Sequence, residues 1–586
     1  MIKLLRFLKP KEWAFFLINV VFISIQVYLD LKIPDYMSKI TTILTSQGEV
    51  KEIINIGIKM VIFALGSLVA AVICGYFAAK IAAVFGLRLR GSVFNRVQEF
   101  SKEEIKQFST DSLITRSTND ITQIQMVVAM GAQLMIKAPI MAVWAIIKIY
   151  NKNWQWSTTT LIAVAIMVSM IAVIAIFAIP RFKKVQKLTD NLNRVTRENL
   201  TGIRVVRAYN AEKYQEDKFE VANDNLVKNN LFTGRLMGML NPMMRILMNG
   251  ISLAIYWIGA YLILNAGNFM EKGAIFSDMV VFTSYAMQVI MSFMMLTMIF
   301  IMMPRAQVSA NRINEVLKTI PSITDGKIGE AKDKIGEVEF RNVSFKYPDA
   351  EECVLKDINF KVNAGETLAL IGSTGSGKST IVDLIPRFYD ATEGEVLVNG
   401  INVKDYKLNS LNNYIGYVPQ KAVLISGTIE SNIVYGENGK GDITEKAVNR
   451  ALEIAQASEF VNNLDDGNNS HVAQGGSNYS GGQKQRLSIA RAIARDPNIY
   501  IFDDSFSALD LKTDKKLREA LSKETGHATN IIVSQRVSSI KNADKILVME
   551  EGEVVGYGKH EELIKNCKVY QEIAYSQLSQ EEIDGK

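Results

Sequence analysis

The chain has 586 residues, of which 48% are hydrophobic, and 66 Lys and Arg against 60 Asp and Glu give a formal net charge of +6. A single hydrophobic core rarely grows beyond about 250 to 300 residues, so this length predicts two large domains. The basic residues cluster beside apolar segments rather than in a separate tail, which argues against a nucleic-acid-binding protein. Three distant cysteines, Cys74, Cys353 and Cys567, match neither zinc nor redox spacing and predict a reducing context without disulfides.

Six stretches of the first half are long and apolar enough to cross a hydrocarbon layer of about 30 Å, which takes roughly 20 residues each. They are approximately residues 13–33, 54–85, 126–150, 157–179, 236–264 and 275–303. Lys and Arg concentrate in the second-to-third and fourth-to-fifth connections, whereas the opposite connections are short and nearly uncharged. The sequence therefore predicts a multi-pass plasma membrane protein with its N-terminus, both long connections and its second half in the cytoplasm.

The second half has a different pattern. From about residue 336, short β-rich runs alternate with helices and glycine-containing turns, as in a soluble α/β domain. We therefore predict an all-α six-helix transmembrane domain over 1–310, a linker over 311–335 and an α/β domain over 336–586. The long connections keep helical spacing over 87–124 and 182–230, which predicts membrane helices that extend into the cytosol.

One glycine-rich segment of the second half fits the phosphate-binding pattern G-x-x-x-x-G-K-[ST]. It follows the apolar strand 367–371 and precedes a helix that starts at Thr380, the context that this motif requires. The glycines let backbone N–H groups surround phosphates, the lysine supplies a positive charge, and the final hydroxyl can bind Mg²⁺. The predicted ATP-binding residues of the loop and the helix start are Gly372, Ser373, Thr374, Gly375, Ser376, Gly377, Lys378, Ser379 and Thr380.

Two further segments belong to the same chemistry. The apolar run 499–502 ends in Asp503, where a carboxylate at the end of a strand can hold Mg²⁺. Between the phosphate loop and Asp503, small residues open a helix and expose backbone donors at its positive end. These residues are Tyr479, Ser480, Gly481, Gly482 and Gln483.

In this order the motifs resemble those of ABC transporters of the exporter type, and the likeness covers essentially the whole chain. The resemblance implies that residues 336–586 form an ABC-type P-loop nucleotide-binding domain that uses ATP and Mg²⁺. Tyr347 would stack on adenine, Gln420 would bind Mg²⁺, and residues 479–483 would be the signature motif. Residues 111–116 and 205–209 resemble the coupling helices that rest on nucleotide-binding domains. The implied D-loop is Ser507, Ala508, Leu509 and Asp510.

Two residues depart from the family pattern. Asp504 stands where hydrolysis-competent members carry glutamate, and Gln535 stands where they carry the switch histidine. An aspartate is one methylene shorter than a glutamate, and a glutamine cannot carry an imidazolium charge. We therefore expect the chain's own site to bind ATP but to hydrolyse it slowly. The alternative is that Asp504 works through a shifted water and Gln535 is a tolerated variant.

In this family each ATP lies between the phosphate loop of one domain and the signature motif of another, so one chain cannot complete a site. A homodimer would contain two weakened sites, whereas the signature motif of this chain is intact. We therefore predict a heterodimer with a second half-transporter subunit, similar to heterodimeric bacterial multidrug exporters. An ATP-gated channel or a regulatory membrane subunit is the alternative from another functional class.

The sequence indicates the transported compound less clearly than it indicates the ATP site. Methionines cluster in the sixth span, and flexible thioethers can repack around varied apolar ligands, although ordinary core filling explains them equally well. Asp30 lies within an apolar segment and suggests a preference for cationic cargo. The predicted pathway residues are Asp30, Met291 and Met295, the predicted cargo is a hydrophobic or cationic small molecule, and membrane lipids surround the spans. Lipid, peptide or siderophore transport on the same scaffold remains open.

Overall fold

The structure is a computed structural model that describes residues 2–46, 48–150, 154–331 and 333–577. The chain divides into two units. The first comprises Met1–Val97 and Asp111–Thr319, and the second comprises Gln98–Thr110 and Ile320–Lys586. A short segment from the first half of the sequence thus belongs to the second unit.

The first unit is helical. Its described residues include six helical stretches long and apolar enough to cross a membrane, which confirms the six predicted spans. In chain order the helices of this unit are α1 (Pro10–Thr45), α2 (Val50–Gln98), α4 (Thr110–Ser117), α5 (Asn119–Tyr150), α6 (Trp154–Thr201), α7 (Ile203–Ala208), α8 (Glu212–Gly238), α9 (Leu240–Leu264) and α10 (Phe269–Lys318).

Several of these helices are longer than a bilayer is thick. Helix α2 has 49 residues and α6 has 48, which at about 1.5 Å per residue corresponds to roughly 70 Å. A hydrocarbon layer spans only about 30 Å, so both helices extend well beyond it, as their charged ends predict. Helix α10 continues to Lys318, through the first part of the predicted linker.

A mixed aliphatic and aromatic core holds the first unit together. Trp156 of α6 packs against Phe282 of α10 with ring centroids 5.4 Å apart, and both are almost completely buried. Tyr285, one turn further along α10, is also buried, and its hydroxyl donates to the carbonyl of Leu31 in α1 at 3.1 Å. These contacts tie the first, fourth and sixth spans together.

The second unit contains three sheets and ten α-helices among its described residues. Its strands are β1 (Val338–Phe345), β2 (Leu355–Val362), β3 (Thr367–Gly372), β4 (Glu393–Val398), β5 (Ile401–Asn402), β6 (Ile415–Val418), β7 (Gly427–Thr428), β8 (His471–Val472), β9 (Ile499–Asp503), β10 (Thr529–Val533), β11 (Lys545–Glu550) and β12 (Glu553–Gly558). Its helices are α3 (Lys102–Phe108), α11 (Lys378–Leu384), α12 (Leu408–Asn413), α13 (Ile429–Ile433), α14 (Glu445–Ile454), α15 (Ser458–Asn462), α16 (Gly481–Ala494), α17 (Leu511–Glu524), α18 (His560–Asn566) and α19 (Lys568–Gln577).

The largest sheet has six strands in the order β12-β11-β3-β10-β9-β6. All neighbours pair in parallel except β12, which is antiparallel to β11. All residues of β9 and the four central residues of β3 are buried, as expected for a parallel sheet covered on both faces. This arrangement confirms the predicted α/β domain and brings the carboxyl ends of β3, β10, β9 and β6 to one edge.

Candidate functional site

The predicted nucleotide residues follow four neighbouring strands. The phosphate loop follows β3, Gln535 follows β10, Asp503 ends β9, and Gln420 follows β6. Carboxyl ends of adjacent parallel strands lie side by side, and ligands of open α/β sheets bind there. The strand order therefore gathers at one edge four elements that together span more than 150 residues of sequence.

The phosphate loop turns sharply from β3 into α11. Gly377 has φ +97°, a conformation that L side chains rarely adopt, and it immediately precedes Lys378, the first residue of α11. At Gly372 a Cβ atom would overlap the carbonyl oxygen of Met549 in β11. Glycine is thus required at 377 by the positive φ of the backbone and at 372 by the close approach of the Met549 carbonyl.

The charged residues of the loop are largely buried. The Nζ atom of Lys378 donates to the carbonyl oxygens of Gly372 at 3.0 Å and Ser373 at 2.7 Å, and burial lowers the pKa of this amine. The hydroxyl of Ser379 donates to Oδ1 of Asp503 at 2.9 Å. Burial raises the pKa of Asp503, which the Ser379 hydrogen bond partly offsets. A hydroxyl and a carboxylate therefore meet where the sequence predicts Mg²⁺.

Asp504 receives two amide hydrogen bonds on one oxygen. Its Oδ2 atom accepts from Nε2 of Gln420 at 3.3 Å and from Nε2 of Gln535 at 3.3 Å. The backbone of Asp504 has φ +46°, a left-handed conformation that aspartate tolerates better than most residues. Burial raises the pKa of Asp504, and the Gln420 amide acts in the opposite direction. Both residues that depart from the family pattern are thus in direct contact.

Tyr347, the predicted adenine-stacking residue, lies beside the phosphate-loop helix. Its hydroxyl is 3.0 Å from that of Thr380 in α11. Phe345 and Tyr389 contact it edge-on, with ring centroids 4.8 and 5.3 Å away. These T-shaped contacts hold the orientation of the Tyr347 ring, which is only partly buried.

The predicted signature motif begins helix α16. Ser480 is the N-cap, and its hydroxyl accepts from the backbone N–H of Gln483 while the Gln483 side chain accepts from the backbone N–H of Ser480. This capping box satisfies the backbone N–H groups of Ser480 and Gln483 and fixes the start of the helix. Tyr479 is buried, and its hydroxyl donates to the carbonyl of His471 at 3.1 Å.

The signature motif and the phosphate loop belong to different hydrophobic cores. Tyr479 packs with a helical core that includes α13 to α17, whereas Leu370 and Ile381, which flank the phosphate loop, pack with the core of the large sheet. Within the described residues, no hydrogen bond joins the two motifs.

In the predicted D-loop, Ser507, Ala508 and Asp510 are exposed, Leu509 is buried, and Asp510 caps α17 by accepting from the backbone N–H of Thr513.

Two family models match this chain: "ABC transporter" over residues 355–507 and "ABC transporter transmembrane region" over residues 16–293. An uncharacterized ABC transporter ATP-binding protein of Mycobacterium tuberculosis is 39% identical over 563 residues, which cover 95% of this chain and 94% of that protein. The chain belongs to the ABC transporter family. The uncharacterized ABC transporter ATP-binding protein YfiB of Bacillus subtilis is 33% identical over 581 residues, 99% of each chain.

Two further comparisons concern exporters and flippases of the family. An ATP-dependent lipid A-core flippase of Syntrophus aciditrophicus is 30% identical over 516 residues, 87% of this chain and 84% of that protein. A solved structure described as a bacterial Atm1-family ABC exporter with ATP bound matches with a TM-score of 0.81. It covers 98% of this chain and 99% of that chain at 23% identity, which shows that this ABC transporter chain has the exporter fold.

Residues 111–116, the first predicted coupling segment, lie in α4 of the first unit, where Nη1 of Arg116 donates to Glu315 of α10 at 2.7 Å. Their coupling role stays a prediction. The helix that precedes them, α3, belongs to the second unit. A capping box formed by Ser101 and Glu104 starts α3, and Ser109, with φ +61°, separates it from α4. The helical pattern of the sequence did not reveal this break.

Lys102 is the principal contact of α3. Its Nζ atom lies 2.8 and 2.9 Å from the two carboxylate oxygens of Asp383 in α11, and 4.3 Å from the ring centroid of Phe388. The hydroxyl of Tyr417 in β6 donates to the same carboxylate at 3.2 Å. Through Asp383, Lys102 thus connects α3 both to α11, the helix that follows the phosphate loop, and to β6, the strand that precedes Gln420.

We expect Lys102→Ala to loosen α3 without abolishing ATP binding. The substitution removes a charge-assisted hydrogen bond, so amide exchange in residues 98–110 should become roughly tenfold faster. Hydrogen–deuterium exchange with and without ATP would measure this. Lys106→Ala is the control, because the Lys106–Asp349 pair joins side chains that are 68% and 79% exposed and should contribute little. Equal exchange in both variants would contradict a docking role for Lys102.

No motif in the sequence indicates that the C-terminal helix supports the switch position. Nε2 of Gln577, the last residue of α19, donates to the carbonyl of Gln535 at 2.8 Å, and its Oε1 accepts from the backbone N–H of Val537 at 2.9 Å. Gln577 therefore fixes the backbone on both sides of Arg536. A lone glutamine near a terminus carries no motif from which this contact could be predicted.

The second predicted coupling segment, residues 205–209, overlaps α7 and its C-cap. Val205 and Tyr209 are 61% and 79% exposed, whereas Val206 is buried. The segment therefore presents an exposed apolar face, as a docking element requires. Its coupling role stays a prediction.

The predicted pathway residues have distinct surroundings. Oδ2 of Asp30 lies 3.3 Å from Nζ of Lys137, and the Ser67 hydroxyl donates to Oδ1. This pairing removes the physical reason for proposing Asp30 as an attractor of cationic cargo, because its charge is already compensated. In α10, Met291 is exposed and Met295 half-buried, whereas Met294 packs against the core. The methionine cluster therefore serves packing in part.

Proposed function

We propose that the chain is one half of an ATP-driven exporter of hydrophobic or amphipathic compounds in the plasma membrane. In this proposal it pairs with a second half-transporter subunit, and its own phosphate-loop site is catalytically weak. The nucleotide-binding domain faces the cytoplasm, as the basic connections favour. Membership of the ABC transporter family and the exporter fold support ATP-coupled transport, and the weak site rests on the surroundings of Asp504.

The main observation in favour of slow hydrolysis at this site is that two side-chain amides donate hydrogen bonds to one oxygen of Asp504. A general base must have enough affinity for the proton that it removes from water. The Gln420 and Gln535 amides donate to Oδ2 of Asp504 and favour the charged form of the carboxylate, which weakens it as a base, and the short side chain holds the carboxylate close to its own backbone. Both amides remain neutral, so neither can stabilise the charge that develops on the transferred phosphoryl group as an imidazolium can.

The chain has every type of residue that this proposal needs to bind ATP and Mg²⁺. The oxygens of Ser379 and Asp503 are hard ligands of the kind that Mg²⁺ prefers, and they lie 2.9 Å apart. In this proposal Ser379, Asp503 and the side-chain oxygen of Gln420 hold Mg²⁺, which neutralises phosphate charge when bound. Lys378 and the backbone N–H groups of residues 373–380 bind the phosphates, and Tyr347 stacks on the adenine. Binding without rapid turnover follows from this combination.

The signature motif gives the weak subunit a second task. At the start of α16 the backbone N–H groups of Gly481 and Gly482 lie in the first turn beside the capping box, and donors of this kind suit the phosphates of an ATP held by another phosphate loop. The chain thereby completes the partner's site, while the partner's signature covers the phosphate loop of this chain. ATP binding closes the paired domains, and hydrolysis mainly at the partner's phosphate loop resets them.

Lipid translocation is the second candidate. Lipid A-core flippases are among the relatives at about 30% identity, and Asp30 no longer argues for cationic cargo. An amphipathic cargo is common to both candidates. Transport assays in vesicles with a labelled lipid and with a lipophilic cation would separate them.

The ATP proposal is tested by turnover measurements on the chain purified alone and together with a candidate partner subunit. We expect substantial activity only in the pair. Loss of the glutamate base of the partner should abolish it, whereas Asp504→Asn in this chain should reduce it by no more than about twofold, because little base catalysis is lost. The same activity in the isolated chain as in the pair would contradict the proposal and indicate a homodimer in which Asp504 and Gln535 suffice.

A further inference from the structure

A small cavity opens between the first and third spans, far along the sequence from the ATP motifs. Its volume is about 280 Å³, and Leu31 and Ile147 form part of its apolar wall. Pockets that hold whole drug-sized ligands usually measure about 300 to 1,000 Å³, so this cavity suits a part of a molecule such as a lipid headgroup. The remaining lining residues are Tyr28, Lys32, Asp35, Trp144 and Lys148.

The cavity lies near the C-terminal end of α5, which leads into one of the short connections. Lys148 is two residues from the C-terminal end of α5 at Tyr150, and Lys32 is at the end of the predicted first span. In the predicted topology, this region lies at the interface between the plasma membrane and the extracytoplasmic side. Tyr28 and Trp144 form two walls, with ring centroids 6.1 Å apart at 78°. Such aromatic residues are typical of the headgroup level of a bilayer.

The charges of the cavity do not balance. Nζ of Lys148 lies 2.7 Å from Oδ2 of Asp35, and the hydroxyl of Tyr285 donates to Oδ1 of Asp35 at 2.5 Å. Both oxygens of the carboxylate are therefore occupied. Lys32 lies 5.3 Å from the ring centroid of Tyr28 and forms no ion pair with any carboxylate in the described part of the chain. Two lysines and one aspartate leave one uncompensated positive charge.

An uncompensated ammonium in apolar surroundings at the membrane is costly, and an anion that enters with its own hydrocarbon chains would remove that cost. Exposed apolar side chains lie on the same two helices as the cavity residues, including Ile25 on α1 and Ile146 on α5. Such side chains suit acyl chains, and the aromatic walls suit the glycerol region. We propose that this cavity binds the phosphate of an anionic phospholipid headgroup between Lys32 and Lys148.

This inference is independent of the weak ATP site and of the cargo. Lysines at span ends also reach towards the interface without binding any lipid, and the experiment must exclude that explanation. Two substitutions shift the charge of the cavity in opposite directions. Lys32→Gln reduces the net charge to zero, and Asp35→Asn raises it to two positive charges, so the two variants should have opposite effects on an anionic lipid.

The test is native mass spectrometry of the full chain, purified with whichever subunit accompanies it, and titrated with phosphatidylglycerol. We expect Lys32→Gln to weaken the most avid binding event roughly tenfold, as loss of a charge-assisted contact predicts. Asp35→Asn should strengthen it, a result that misfolding cannot produce. Lys39→Gln is the matched control, because Lys39 also belongs to α1 and lies 5.5 Å from a tyrosine ring, that of Tyr36, but outside the cavity.

Diacylglycerol, which lacks the phosphate, should bind the wild-type protein roughly tenfold more weakly than phosphatidylglycerol. Inorganic phosphate in excess should leave the phospholipid bound, because it cannot supply the apolar contacts. The proposal is overturned if Lys32→Gln and wild type bind phosphatidylglycerol equally, if Lys39→Gln loses as much as Lys32→Gln, if diacylglycerol binds as well, or if free phosphate displaces the lipid. The experiment does not measure ATP turnover, so the lipid-binding proposal can fail or succeed independently of the proposed function.

Discussion

Replacing Asp504 with glutamate together with Gln535→His is expected to raise ATP turnover at this chain's own phosphate loop by about 10²-fold or more. A positioned general base typically contributes about 10² to 10⁴ in rate. The extra methylene moves the carboxylate away from the Gln420 amide and towards the attacking water, and the imidazole replaces one of the two amides on Oδ2. An imidazolium can also stabilise charge that an amide cannot.

The measurement requires that only this chain's phosphate loop turns over. The chain is therefore assayed with a partner subunit whose own phosphate-loop lysine has been replaced. Asp504→Asn with Gln535→His is the matched control, because it restores the switch residue without a base and should stay near the starting rate. If the glutamate variant gains nothing while it remains folded and binds ATP, the residues at 504 and 535 do not limit this site.

Gly482→Asp in the signature motif is expected to reduce turnover of the pair by about 10²-fold or more while the fold is preserved. A Cβ at Gly482 would meet only ordinary contacts, 3.4 Å from the carbonyl oxygen of Ala508 and 3.7 Å from Leu509. An aspartate in the first turn of α16 also favours the helix electrostatically. The carboxylate nevertheless faces the phosphates of the partner-held ATP, where a lost or opposed donor typically costs about 10² to 10³ in rate.

Gly482→Ala is the control for this prediction, because it adds the Cβ without the charge and should lose far less activity. Lys378→Ala provides the comparison within the same chain. It removes a phosphate-binding charge from the weak site only, so the pair should retain a substantial part of its turnover. If Lys378→Ala abolishes turnover while Gly482→Asp leaves it unchanged, this chain's phosphate loop is the active one and the proposed division of labour is wrong.

The parts of the protein that sequence reasoning predicted correctly are those encoded in contiguous stretches. A membrane span is a run of about 20 apolar residues, so the six spans followed from hydropathy alone. The phosphate loop is eight consecutive residues between a strand and a helix, and the structure has both, in β3 and α11. The family followed from the order of such local motifs, and the comparisons confirmed it.

Helix α3 shows where local patterns fail. Residues 102–108 and 110–117 are both short helices, and only the break at Ser109 separates them. The contacts of the first helix depend on Asp383, some 280 residues later, because its carboxylate pairs with Lys102. Periodicity within one segment contains no information about such a partner.

The sequence by itself determined the membrane spans, the α/β domain and the identities of the residues that depart from the family pattern. The tertiary structure decided what those residues touch: the two amides on Asp504, the lysine that compensates Asp30, and the cavity whose charges leave one lysine without a counter-ion. The physical reason is that spans and loops depend on residues adjacent in the chain, whereas electrostatic compensation depends on distances that only the packed helices and strands set.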